Sequence, residues 1–224
     1  MKTEKILVPE SLAETLWRLE EVRQGFRRKS VHHLQEALQW VLSRQGLPGS
    51  YSNLFLPTSQ DLAGSVRLLT GERMLSDVGT RHVLGEEALR TTFVWKLRSS
   101  SAGAEALKGF NNLLEAGGKD GWWCCHTCTP AFLRALAVVK PDDSDRILEK
   151  GLKRIKKART HDGRWRGFPF YYTLLTLSEI ETPSAKAELK HASKISQRLL
   201  KRYGKDDRIS SFRRLALEAT LNLT

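Results

Sequence analysis

The densest run of chemically capable side chains is Trp122, Trp123, Cys124, Cys125, His126, Thr127 and Cys128, and it holds all three cysteines of the chain. Three thiols within five positions are badly placed to staple a fold and better placed to bind something or to react. Cys125 and Cys128 form a CysXaaXaaCys pair at a loop-to-helix junction, which is half of a zinc site; the sequence has no second such pair and no HisXaaXaaHis. Cys124, Cys125 and Cys128 with His126 or His161 make four ligands only if adjacent side chains splay around one ion. The N-terminus of the helix that follows would lower the thiol pKa of Cys128, which gives a reactive or redox role as the competing chemistry. The third reading is plain packing, with the cysteines as small apolar residues around a tryptophan. No cofactor is certain, and zinc is the one that these residues admit.

Two further groups could bind. Phe168, Phe170, Tyr171 and Tyr172 stand at another loop-to-helix junction, and with Trp123, Cys128 and Trp165 they could line a pocket for an apolar small molecule. Between Arg146 and Arg166 nine basic residues face only Glu149 and Asp162, within a chain of formal charge +12. Lys150, Lys153, Arg154 and Lys157 fall on one side of a helix whose other side carries Ile147, Leu148, Leu152 and Ile155. That stripe suits an anionic partner such as nucleic acid or an acidic protein, or it is a solvated outer helix. His32, His33, His82 and His191 have no partner spacing and are assigned no chemistry.

These groups must be positioned by helices. Leu12, Leu16, Leu19 and Val22 recur at three- and four-residue steps, as do Leu34, Leu38, Val41 and Leu42, and strand-like alternation is nearly absent. Breakers cut the chain into roughly nine helices. The stops are of two kinds: tight turns at residues 140–143 and 181–184, and longer Gly- and Trp-rich loops between them. Short turn, long loop, short turn is the rhythm of stacked helix hairpins. The expectation is an all-α chain of helix-hairpin repeats forming one domain over 1–224. No apolar run is long enough to cross a membrane, and residues 1–10 lack the apolar core of a signal peptide, so the compartment is read as cytoplasmic.

An internal repeat sharpens this. Lys108, Gly109, Leu113, Asp120, Gly121 and Trp123 each recur 42 residues on, as Lys150, Gly151, Ile155, Asp162, Gly163 and Trp165. A period of that length marks a repeat architecture, in which one helix pair buries its face only when its neighbours stack on it. Residues 37–51 form another copy, with Ala37, Trp40, Val41, Gln45, Gly49 and Tyr51.

The spacing shared by 37–51, 109–123 and 151–165 resembles the QW motif of squalene and hopene cyclases: Gly or Ala, an aromatic three on, an aliphatic residue, Gln, and a final GlyXaaTrp. The first copy keeps the aromatic and the Gln and ends in Tyr51; the other two keep GlyXaaTrp but have Asn112 and Arg154 for the aromatic, and Gly117 and Arg159 for the Gln. Segments 129–136 and 171–178 are similar to the inner helices of those cyclases and of protein prenyltransferase β subunits. The resemblance implies an α/α toroid, shortened and open, because about nine helices give four or five of the roughly six pairs a closed one needs. It also implies an apolar, isoprenoid-like ligand. The reaction-specific residues depart from the family. The AspXaaAspAsp acid of the cyclases is replaced by Asp142, Asp143, Ser144 and Asp145 in a tight turn, read here as helix caps, and Pro169 stands where the prenyltransferase zinc histidine belongs. No catalytic residue is assigned, and the chain reads as a ligand-binding or degenerate, non-catalytic relative.

Overall fold

A computed structural model describes residues 5–28, 30–64, 66–74, 76–204 and 207–223. Residues 1–4 of the segment read for a signal peptide lie outside the described residues. The expected fold class holds: ten α-helices and no β-strand occur among the described residues. No helix among them is long and apolar enough to cross a membrane. The chain divides into two compact units, Met1–Val66 with Met74–Ala116, and Arg67–Arg73 with Gly117–Thr224.

The first unit holds α1 (Leu12–Arg23), α2 (Val31–Ser43), the single turn α3 (Ser59–Leu62), α4 (Asp77–Val94) and α5 (Ser101–Glu115). α4 is its centre and packs against the other four. The start of α1 is pinned from a distance: the Asp61 carboxylate accepts from the Leu12 amide at 2.8 Å, the Thr58 amide at 2.9 Å and the Ser11 hydroxyl at 2.7 Å. One buried side chain thereby satisfies orphan amides of two helices.

The second unit shows the hairpin order most clearly. It holds α6 (Cys128–Val139), α7 (Ser144–Lys157), α8 (Phe170–Ser178), α9 (Pro183–Leu200) and α10 (Arg208–Asn222). α6 is apolar on nearly every side and buried along its length, as is most of α8; helices of that composition belong inside. α7 and α9 bury one stripe each, Ile147, Leu148, Leu152 and Ile155 in the first and Leu189, Ala192, Ile195 and Leu199 in the second, and, the buried Glu188 of α9 apart, turn most of their charges outward. α6 packs on α7 and α8, α7 on α9, and α8 on α9 and α10. The polar contacts between the inner pair advance together along both helices, Thr176 Oγ1 to the Pro130 carbonyl and Arg134 to Glu179, so α6 and α8 run parallel with their N-termini at one end. Arg134 is fully buried; its guanidinium makes two 2.9 Å bonds to the Glu179 carboxylate and lies 5.8 Å over the Tyr172 ring.

The 42-residue repeat has a steric cause. Gly121 has φ +67°, and a Cβ there would overlap Gly151 N and come 2.5 Å from Ile147 O, both backbone atoms of α7. The loop before α6 therefore sits directly on the outer helix that follows it. Gly163, φ +84°, seats the next loop on α9 less tightly, where a Cβ would meet the Ile195 side chain at 3.0 Å and His191 O at 3.2 Å, and in the first unit a Cβ on Gly109 of α5 would overlap the Ser52 carbonyl. At Gly109 and Gly121 the missing Cβ lets two backbones touch.

The turn at 140–144 differs from its sequence reading. Asp143 does take the position before α7, but its backbone is left-handed, φ +63°, and no side-chain cap forms. Its carboxylate pairs instead with Arg146 at 2.8 Å. At the other tight turn the cap is Thr182, whose side chain accepts from the Ala185 amide, with Pro183 opening α9.

Candidate functional site

The N-terminal ends of α6 and α8 carry the residues singled out from sequence. At α6, Cys128 is the first helical residue and fully buried; Cys125 is half-buried, one turn earlier, and its carbonyl accepts the Thr129 amide at 3.0 Å. The two sulfurs lie 3.5 Å apart. Cys124 is exposed and has a left-handed backbone, φ +54°. Thr129 Oγ1 ties the loop down, donating to the Cys125 carbonyl at 2.8 Å and accepting the Trp123 amide at 3.1 Å. Burial opposes ionisation of the Cys125 thiol, but the N–H groups of Cys128 and Thr127 and the neighbouring Cys128 and Cys124 thiols outweigh it, leaving its pKa below the ordinary value. Two thiolates on one tetrahedral zinc, each about 2.3 Å from the metal, sit roughly 3.7 Å apart, so the Cys125–Cys128 pair is compatible with zinc. The exposed His126 turns its ring edge-on to Phe168 (4.8 Å between centroids) and Trp122 (4.9 Å).

At α8 the aromatic residues are brought together in part. Trp165, Phe170, Tyr171 and Tyr203 form a chain of ring contacts at 6.0, 5.2 and 5.5 Å. Phe170 and Tyr171 remain half-exposed, as does Trp123, which meets Phe132 of α6. Phe168 belongs to the His126 group, and Tyr172 is fully buried beneath Arg134. Trp165 is buried and donates its indole N–H to Glu188 of α9 at 2.9 Å, beside the Arg159–Glu188 ion pair.

A further group escapes sequence reading altogether. Glu72 Oε1 accepts from the amides of both Tyr171 (2.8 Å) and Tyr172 (3.2 Å), capping the N-terminus of α8 from nearly one hundred residues away. Its other oxygen accepts the Thr70 hydroxyl. Arg213 donates to the Thr70 carbonyl at 2.8 Å and lies 4.6 Å over the Tyr171 ring. Burial raises the Glu72 pKa against the pull of these donors. Its only sequence signal is an acid beside a turn glycine, which is too common to single out.

On α7 the expected stripe is present: Lys153, Arg154 and Lys157 are exposed opposite the buried apolar face. Lys150 is engaged, donating to the Lys119 carbonyl at 3.0 Å and pairing with Asp120, and Arg154 covers the Trp122 ring at 5.7 Å. A groove of about 370 Å³ lies between the 161–163 loop and α9, lined by His161, Asp162, Gly163, His191, Lys194, Ile195 and Arg198.

No protein-family model and no curated protein matches the sequence. Among solved structures, the fold is similar to ent-copalyl diphosphate synthase from Streptomyces platensis, with a TM-score of 0.55 and 17% identity over 94% of this chain. The chain spans half the length of that protein. At this identity the similarity is one of fold: an all-helical, terpene-cyclase-like arrangement.

Proposed function

We propose that this chain is a terpenoid-cyclase-like helical-repeat protein that binds an apolar, isoprenoid-like ligand at the N-terminal ends of its inner helices, without the cyclases' acid. The observation that supports it best is the set of half-exposed rings, Trp123, Phe170 and Tyr171, at the same end of two parallel inner helices. Exposed aromatic area beside buried apolar walls is what such a ligand needs, since its binding free energy comes from area removed from water. The cyclase-like fold supports the same reading. Asp142, Asp143 and Asp145, the nearest approach to the acid motif, are exposed at the turn into α7, where no side-chain cap forms.

Titrating the purified protein with farnesol while following tryptophan fluorescence tests this. Saturable binding that weakens by about tenfold, or about 1.4 kcal/mol, in Phe170→Ala is expected. Absence of saturable binding by both farnesol and its diphosphate overturns the reading. A second reading, an interaction module for nucleic acid or an acidic protein, is favoured by the exposed Lys153, Arg154 and Lys157 and by the groove on α9. It requires oligonucleotide binding that falls steeply with salt and is lost in Lys153→Glu/Lys157→Glu.

A further inference from the structure

The thiol pair at the head of α6 has no task in that reading, and its geometry suits one. The sulfurs of Cys125 and Cys128 are 3.5 Å apart, against the roughly 2.05 Å of a disulfide. The two thiols differ in access: Cys125 is half-exposed, whereas Cys128 is fully buried as the first residue of the helix. The loop that carries them is fixed at both ends, by Thr129 bonding to Trp123 and Cys125 and by Gly121 seated on α7. Cys124, the neighbouring thiol, is exposed on a left-handed backbone, with its sulfur within 4.8 Å of the Cys128 sulfur against 3.5 Å for Cys125.

We propose that Cys125 and Cys128 form a dithiol–disulfide centre, with Cys125 as the attacking thiol and Cys128 as the resolving one, reacting with low-molecular-weight disulfides. Cys125, its proton lost to solvent, attacks one sulfur of the small disulfide. That S–S bond breaks, one small thiolate leaves and is protonated, and a mixed disulfide forms on Cys125. Cys128 then loses its proton and attacks Cys125 Sγ, expelling the second small thiol. The net change is one new Cys125–Cys128 bond, two small thiols released, and two electrons passed from the protein to the oxidant. Reduction reverses the steps.

The full-length protein, purified without chelator, is first assayed for zinc. It is then equilibrated with graded ratios of glutathione disulfide to glutathione, acid-quenched, alkylated and weighed. The expected result is metal-free protein whose alkylatable thiols fall from three to one in a single transition, with the surviving label on Cys124 by fragmentation. Cys124→Ser should show the same midpoint, its thiols falling from two to none. Cys125→Ser should stop at reduced or glutathione-capped protein, with no internal bond. The label position in the unmutated chain carries the test even if Cys128→Ser fails to fold. Near-stoichiometric zinc that shields the thiols overturns the proposal in favour of a metal site. So does a bond involving Cys124, a disulfide-linked dimer, or a chain that keeps all three thiols across the range.

Discussion

Replacing Gly121 by alanine probes the contact that the repeat exists to make. Two costs are separable. The backbone there has φ +67°, and an L-residue in the left-handed region costs about 1–2 kcal/mol. The added methyl also falls on backbone atoms of α7, overlapping Gly151 N and lying 2.5 Å from Ile147 O and 2.7 Å from Gly151 Cα. None of these can rotate away, so the loop must lift off the helix, at a further cost of about 1–3 kcal/mol typical of overpacking. A total near 3 kcal/mol in a chain of 224 residues lowers Tm by roughly 6–12 °C. Gly167 supplies the control. Its φ is +80°, but its Cβ would meet only the ring of the exposed His126, at 3.0 Å, which can swing aside. Gly167→Ala should therefore show the conformational cost alone, roughly 2–8 °C. Gly151→Ala is milder than Gly121→Ala, because a helix-interior alanine regains about 1 kcal/mol of propensity against the same close approach. Circular dichroism melts of the three variants decide the matter. If Gly121→Ala melts no lower than Gly167→Ala, the loop does not depend on backbone contact with α7 and the steric account of the repeat fails.

Trp165→Phe removes the indole N–H that reaches Glu188 at 2.9 Å while keeping most of the ring's packing, so a loss of about 1–2 kcal/mol is expected in denaturant unfolding; an unchanged midpoint would mean Arg159 alone satisfies that carboxylate. Glu72 makes a pH-dependent prediction: burial raises its folded pKa, so its favourable share of stability is complete below its ordinary value of 4.5 and is lost as pH rises through the raised one. Glu72→Gln, whose Oε1 still accepts the Tyr171 and Tyr172 amides, should melt at or above the unmutated protein at pH 7 and lose that margin at pH 4; a clear drop at pH 7 would show that the ionised form, held by Arg213, is the stabilising one.

What could be read from the sequence, and what could not, follows from how far apart the partners lie. The helices were legible because burial repeats every three or four residues, and the hairpin order was legible because tight turns and long loops alternate. The 42-residue repeat was legible because close approach to a neighbouring backbone recurs at Gly109 and Gly151, and a left-handed loop residue recurs at Gly121 and Gly163. Carboxylates are different. Asp61 caps α1 across about fifty residues, Glu72 caps α8 across about a hundred, and Glu179 holds Arg134 across 45, so no local pattern marks any of them. The acidic turn at 142–145 was legible as a turn but not as a failed cap, since the left-handed backbone at Asp143 comes from the reversal itself. Within the aromatic group, type and position along the helix were readable. Which rings remain half-exposed, Phe170 and Tyr171, and which are buried, Tyr172 and Trp165, depends on Glu188, Arg134 and Arg213 arriving from other helices.

The repeat also explains how one architecture can offer two chemistries side by side. Cys128 and Phe170 are the same position 42 residues apart, each the first residue of an inner helix, and His126 corresponds to Phe168, which it touches. The junction's geometry is set elsewhere: by the loop glycine on the outer helix, by Thr129 at α6 and by Glu72 at α8. None of those supports uses the side chain at the helix's first position. The side chain at that position differs between the copies, a buried thiol in one and a half-exposed ring in the other. The similarity to a cyclase is one of fold, and it does not carry the side chains of these junctions with it.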